Sequence, residues 1–187
     1  MKAIQIGWAQ TSITPERPLV MIGQMYHRVS EYVRDPITAT ALALDNGETQ
    51  AVFLSMDMTE FPTHAVAPLK ARLAQVSGLN FEHISIGVTH THNSSDFYSD
   101  FMREDNERVY GADILPKIEL ASDVLTGEEA QEFLVSRLAD VIKRAWEGRK
   151  PCGLSLALDY AAVGFCRRPV FRGKKDETVM YGDCSRE

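Results

Sequence analysis

The stretch Ala51-Val52-Phe53-Leu54-Ser55-Met56-Asp57 is apolar on both faces until it ends in a carboxylate. That pattern belongs to a strand inside a covered sheet rather than to one alternating between core and water. Thr38 to Leu44 precedes it, and Asp45-Asn46-Gly47 lies between the two runs. Asn-Gly favours a tight turn with positive φ, so the pair predicts a β-hairpin. Downstream, Val66, Leu69, Leu73 and Val76 recur at helical spacing; Pro68 sets the start shortly before it, and Gly78 closes the helix. Ile84-Ser85-Ile86-Gly87-Val88 then reads as a further strand. Strand, helix and strand make a right-handed βαβ crossover with its two strands parallel.

The rest of the chain adds scaffold. Met1 to Gly7 reads as a first strand. Thr126-Gly127-Glu128-Glu129 has the form of a capping box leading into a helical stripe of Phe133, Leu134, Leu138, Val141, Ile142 and Ala145 that Gly148 ends. Leu154 to Val163 reads as another strand, and Cys152 and Cys166 as strand residues. The expected fold is therefore α/β: a mixed β-sheet with a β-hairpin and a βαβ crossover, flanked by helices. An unfinished sheet edge would favour homo-oligomers. The segment from Ser94 to Leu125 loses periodicity and has the look of either a substrate-binding loop or a surface excursion.

Thr89-His90-Thr91-His92 follows directly on the strand ending at Val88 and holds two of the five histidines. Residues two apart on a strand share a face, so both imidazoles are expected to project together from its C-terminal end. The plainer reading is a pair decorating an exposed strand end; the sharper one is a metal or catalytic site. Asp57 ends a parallel neighbour, and open α/β sheets place ligands beyond the carboxyl ends of such strands. It suits metal ligation, or orientation of a metal-bound imidazole, or simply a cap on the next turn. His27, His64 and His83 have the settings of structural or surface residues.

Composition narrows the class. With 44% hydrophobic and 25% charged residues over 187 positions, the chain is an ordinary globular one. A net charge of −6 and the lack of a basic stripe argue against nucleic-acid binding. No run approaches the ~18 apolar residues of a membrane span, and the N-terminus lacks a secretory pattern, so a cytoplasmic location is expected. Three widely spaced cysteines fit reduced thiols. Gly-rich phosphate loops, Cys-x-x-Cys pairs and His-Glu-x-x-His helices are absent. Gly153-Leu154-Ser155-Leu156-Ala157 opens a strand and lacks the last glycine of a nucleophile elbow.

Four elements in order, Gly7-Trp8-Ala9-Gln10-Thr11-Ser12-Ile13-Thr14-Pro15, Ser55-Met56-Asp57, Thr89-His90-Thr91-His92 and Gly164-Phe165-Cys166-Arg167-Arg168, resemble the N-terminal catalytic region of neutral/alkaline non-lysosomal ceramidases and their bacterial relatives. The resemblance implies a zinc-dependent amide hydrolase that uses metal-activated water on a small, amide or lipid-like substrate. His90 would bind Zn2+, His92 would face the reacting carbonyl or leaving group, and Arg167 or Arg168 would match an arginine near the substrate oxygens. Asp57 would support the site from behind. The sequence departs from the family at Asn93-Ser94-Ser95-Asp96-Phe97, which replaces a Ser-Gly-Pro-Gly-Gly type loop, and at Ser12 and Cys166, which replace Asp and Asn. The family also draws further zinc ligands from downstream segments. Residues 1–187 are therefore expected to be the N-terminal part of a hydrolase domain that a C-terminal region or a partner copy completes. A non-catalytic domain binding a ligand or partner at the same edge, and a hydrolase of ester or glycosidic bonds, are the other readings.

Overall fold

A computed structural model describes residues 4–23, 28–97 and 120–163. Among these residues, eight strands and two α-helices run in the order β1 (Ile4–Ser12), β2 (Val20–Ile22), β3 (Arg28–Val29), β4 (Thr38–Asp45), β5 (Gln50–Met56), α1 (Val66–Leu73), β6 (Ile84–Val88), β7 (Ser94–Ser95), α2 (Gly127–Glu147) and β8 (Lys150–Cys152). The main sheet has the order β6-β5-β4-β1-β8, and β2, β3 and β7 form a small second sheet with β2 in the middle. Both the hairpin and the crossover are present. β4 and β5 pair antiparallel from Ala39↔Met56 to Asp45↔Gln50, and β5 and β6 pair parallel from Val52↔Ile84 to Met56↔Val88.

The hairpin closes differently from the expected tight turn. Four residues connect the strands: the Asn46 side chain accepts from the amides of Glu48 and Thr49, Asp45 accepts from that of Gly47, and only Gly47 takes positive φ (79°). Asx side chains thus supply the acceptors that a two-residue turn would have drawn from the strands.

Helices α1 and α2 lie on one face of the main sheet, with α2 across β1 and β4. Ala39, Ala41 and Ala43 of β4 are fully buried, and their small side chains let the helix approach. Gly7 carries this furthest: a Cβ there would lie 1.9 Å from the Ala145 carbonyl oxygen. Leu134, Leu138 and Ile142 of α2 sit in the core with Leu69 and Leu73 of α1, each contributing roughly 1.5–3 kcal/mol relative to an exposed side chain. β5 is an inner strand, as expected, but only Val52, Leu54 and Met56 face the core. Phe53 is half exposed beside Leu42 and Trp8 on the face the helices leave open.

Two further expectations are corrected. The capping box does not form. Gly127 enters the helix at φ 58°, Thr126 makes no side-chain cap, and Glu129 instead pairs with Arg17 at 2.6 Å. The strand after α2 is Lys150–Cys152, paired with Ile4–Ile6, while Leu154–Val163 has no regular secondary structure, so its alternating apolar positions have no ladder to join. Contacts divide the chain after Gly153; in the second unit, Leu156, Leu158, Tyr160 and Val163 are exposed. Cys152 is a strand residue with a free thiol, and Cys166 lies outside the described residues. No helix among the described residues is long and apolar enough to cross a membrane.

Candidate functional site

The histidine pair stands beyond the end of β6, not on it. Strand pairing continues past Val88 through two amide bonds, Thr89 N–H to the Met56 carbonyl and Thr91 N–H to that of Met58. Between them His90 turns to φ 60°, a left-handed conformation that a side chain bearing a Cβ enters at a cost of roughly 1 kcal/mol. The imidazoles nevertheless converge, with ring centroids 4.6 Å apart and planes at 85°.

Main-chain carbonyls hold both rings. His90 Nδ1 lies 2.8 Å from the carbonyl oxygen of Thr59, and His92 Nδ1 lies 2.7 Å from that of Gly23. A carbonyl only accepts, so each Nδ1 carries the hydrogen, and a ring in its neutral form presents a lone pair at Nε2. The two Nε2 atoms are 3.2 Å apart. Two lone pairs at that distance repel, so the contact calls for a shared proton, one ring then being an imidazolium, or for a metal ion against both. Two imidazoles on one tetrahedral zinc, with Zn–N of about 2.0–2.1 Å, place their nitrogens about 3.3 Å apart. The pair therefore fits two corners of a metal site. Among the described residues no group of three or more His, Cys, Asp or Glu is placed to hold a metal.

The supports come from two distant segments. Thr59 is fixed by its hydroxyl donating to the Thr91 carbonyl at 2.7 Å and by its amide donating to Ser94 Oγ at 3.2 Å. Gly23 is carried by the small sheet, where β2 pairs with β7 through Ile22↔Ser94. Its φ is 104°, and a Cβ there would lie 2.5 Å from the His92 Cα and carbonyl oxygen. Arg28 donates to Asn93 Oδ1 at 3.1 Å on the same side.

Asp57 reaches the same sheet edge but does not orient an imidazole. Its Oδ2 accepts from the Thr38 amide and hydroxyl, both at 2.9 Å, and its Oδ1 from the Thr89 hydroxyl at 3.4 Å. The carboxylate ties the ends of β4 and β5 to the turn carrying the histidines, a task nearer to the cap reading. His27, Arg167 and Arg168 lie outside the described residues. Sequence reasoning missed Thr59 and Gly23, because a main-chain carbonyl has no side-chain signature; only the glycine hinted at a close approach.

A cavity of about 160 Å³ opens between Met58, Phe61 and Phe97, with Ile22 and Glu60, the chain neighbours of Gly23 and Thr59, and His64 and Asp96 also lining it. Asp96 is 4% exposed. His64, placed at a helix start by the sequence, borders this cavity, and burial lowers its pKa from the ordinary imidazole value.

A mixed sheet with helices on one face and a His-x-His pair beyond the end of a parallel strand defines an α/β domain. Solved structures share it. The chain superposes on the neutral ceramidase from Pseudomonas aeruginosa with a TM-score of 0.62 and 19% identity over 81% of this chain, and on a ceramidase complexed with C2 with a TM-score of 0.58 and 18% identity over 81%. It spans 22% of the length of either chain. No protein-family model matches, and no curated protein does. The shared property is the fold of a ceramidase-like region.

Proposed function

We propose that this chain is part of a zinc-dependent hydrolase that cleaves an N-acyl amide bond, as the ceramidase-like fold suggests. The single observation behind this reading is the pair of Nε2 lone pairs 3.2 Å apart, each imposed by a carbonyl on the opposite ring nitrogen. His90 would hold the zinc through Nε2, and His92, whose Nε2 lies 3.2 Å away, would supply a second corner and so stand against the reacting carbonyl or leaving group. Held there, zinc would supply Lewis acidity, activating a water and polarising the carbonyl. By the resemblance alone, Arg167 or Arg168 would match an arginine whose guanidinium stabilises negative charge developing on the substrate oxygens. Asp57 acts as a positioning residue through Thr38 and Thr89. The remaining ligands come from outside the described residues.

Elemental analysis of metal-replete protein tests this reading, with wild type set against His90→Ala. Near-equimolar zinc in the wild type and its loss in the variant are expected. Metal-free wild type would refute zinc binding by these 187 residues.

A further inference from the structure

Ser94 stands two residues after His92 and is 1% exposed, a buried polar side chain whose hydroxyl is committed to a single residue. Its Oγ accepts from the Thr59 amide at 3.2 Å and lies 3.3 Å from Thr59 Oγ1. Thr59 has one hydroxyl hydrogen, and that hydrogen goes to the Thr91 carbonyl at 2.7 Å. The hydrogen between the two hydroxyls therefore belongs to Ser94, which donates to Thr59 Oγ1 while accepting from the Thr59 amide. Each hydrogen in the cluster has one place. The bonds run in one direction, from Ser94 through Thr59 to the main chain between the two histidines.

The carbonyl of Thr59 is what this arrangement aims. With its amide tied to Ser94 and its Oγ1 tied to both Ser94 and Thr91, Thr59 has little freedom to swing the oxygen that accepts from His90 Nδ1 at 2.8 Å. His92 is anchored elsewhere, on the Gly23 carbonyl beyond the end of β2. There Ser94 takes part only through its main chain, by the pairing Ile22↔Ser94. Removing the Ser94 hydroxyl leaves that pairing in place, so one oxygen atom distinguishes the anchor of His90 from the anchor of His92.

We infer that Ser94 is a positioning residue for His90: through Thr59, its hydroxyl keeps the ring hydrogen on Nδ1 and leaves Nε2 turned towards the metal position. The consequence for zinc rests on the proposed function; the state of the metal-free ring does not. The device is particular to this chain, because the Ser-Gly-Pro-Gly-Gly type loop of the ceramidase resemblance has glycine where Ser94 stands, with no hydroxyl to offer.

Long-range 1H–15N NMR on the zinc-free 187-residue chain at pH 8.5 reads which ring nitrogens carry hydrogen, and competition with a chelator reads Zn2+ affinity. In the wild type both Nδ1 atoms should carry hydrogen. Ser94→Ala should strip His90 Nδ1 of its hydrogen in a measurable fraction of molecules and leave His92 unchanged. It should also weaken Zn2+ binding about 10–100-fold, the loss typical when a ligand's hydrogen-bond partner is disturbed. Thr59→Val removes Oγ1, keeps the branched shape, and should change His90 alone in the same way. The double variant should lose less than the sum of the two, since both act through one carbonyl. If Ser94→Ala does not fold, Thr59→Val carries the same test. A merely structural serine would lower stability with both rings unchanged. That result in a folded variant, equal changes at the two rings, or a wild-type His90 lacking hydrogen on Nδ1 would overturn the inference. A change confined to His90 in a chain that binds no Zn2+ supports the positioning and removes the metal, whereas equal Zn2+ affinity with unchanged rings overturns the positioning alone.

Discussion

Replacing Gly23 with alanine is the sharpest perturbation of the site, because Gly23 is where a distant loop touches a histidine with no side chain between them. The new Cβ would lie 2.5 Å from the His92 Cα and carbonyl oxygen and 2.7 Å from the carbonyl carbon. These are backbone atoms, so no rotamer change relieves the clash, and one of the two segments must retreat by the better part of an ångström. The φ of 104° adds a cost of about 1–2 kcal/mol for an L side chain. Overpacking typically adds 1–3 kcal/mol. Stiffening of the unfolded chain by alanine returns about 0.4–1 kcal/mol. The expected net loss is about 2–4 kcal/mol, read as a lower urea midpoint at unchanged slope.

A second readout separates damage to the site from damage to the fold. Retreat of Gly23 withdraws the carbonyl that holds His92 Nδ1 at 2.7 Å, and loss of such an anchor typically weakens metal binding about 10–100-fold. Gly7→Ala is the control. Its Cβ would lie 1.9 Å from the Ala145 carbonyl oxygen, far from the histidines, so it should also destabilise the protein but leave the zinc affinity of folded molecules intact. The reasoning fails if Gly23→Ala unfolds within about 0.5 kcal/mol of wild type and competes with a chelator for zinc equally well.

Other perturbations read other parts of the molecule. Asp57→Ala leaves the Thr38 amide and hydroxyl without their shared acceptor and should cost about 2–3 kcal/mol in urea unfolding, with Asp57→Asn costing less. Asp45→Ala strands Arg149, whose guanidinium lies over Trp146 and pairs with Asp45 at 3.3 Å with both side chains largely covered; a loss of about 2–3 kcal/mol is expected, with much of it recovered in Asp45→Ala/Arg149→Met. His64 gives a pH signature. Because burial lowers its folded pKa, the stability it contributes is complete above the unfolded value of about 6.5 and falls as pH drops through the folded value. Melting temperatures between pH 7.5 and 5 should therefore decline less steeply in His64→Gln than in wild type.

Legibility in the sequence followed the range of the forces involved. The hairpin, the crossover and both helices rest on local periodicity and short turns, and Leu69, Leu73, Leu134 and Leu138 lie where helical spacing put them. Wherever a pattern depended on a partner far along the chain, it misled. Thr126 and Glu129 have capping-box spacing, but Arg17, over a hundred residues earlier, takes the glutamate. Leu154–Val163 alternates like a strand, yet the described sheet ends its edge at Cys152. Asp57 was placed at the correct edge, but its partners, Thr38 and Thr89, belong to two other segments.

The histidine pair and the cavity answer to different parts of the sequence. Aim and tautomer of the two imidazoles are set by carbonyls at Gly23 and Thr59, both outside the loop from Asn93 to Phe97. That loop is where the chain departs from the ceramidase pattern, and it supplies Ser95, Asp96 and Phe97 to the cavity wall. A glycine-rich loop there would bring neither the buried carboxyl nor the aromatic wall. The departing loop nevertheless supports both carbonyls, because Ser94 Oγ accepts from the Thr59 amide and Ser94 pairs with Ile22 beside Gly23. The loop and the aim of the histidines are therefore coupled in this chain, so Ser94→Ala, which removes the acceptor of the Thr59 amide, should weaken metal binding in the same chelator competition as Gly23→Ala.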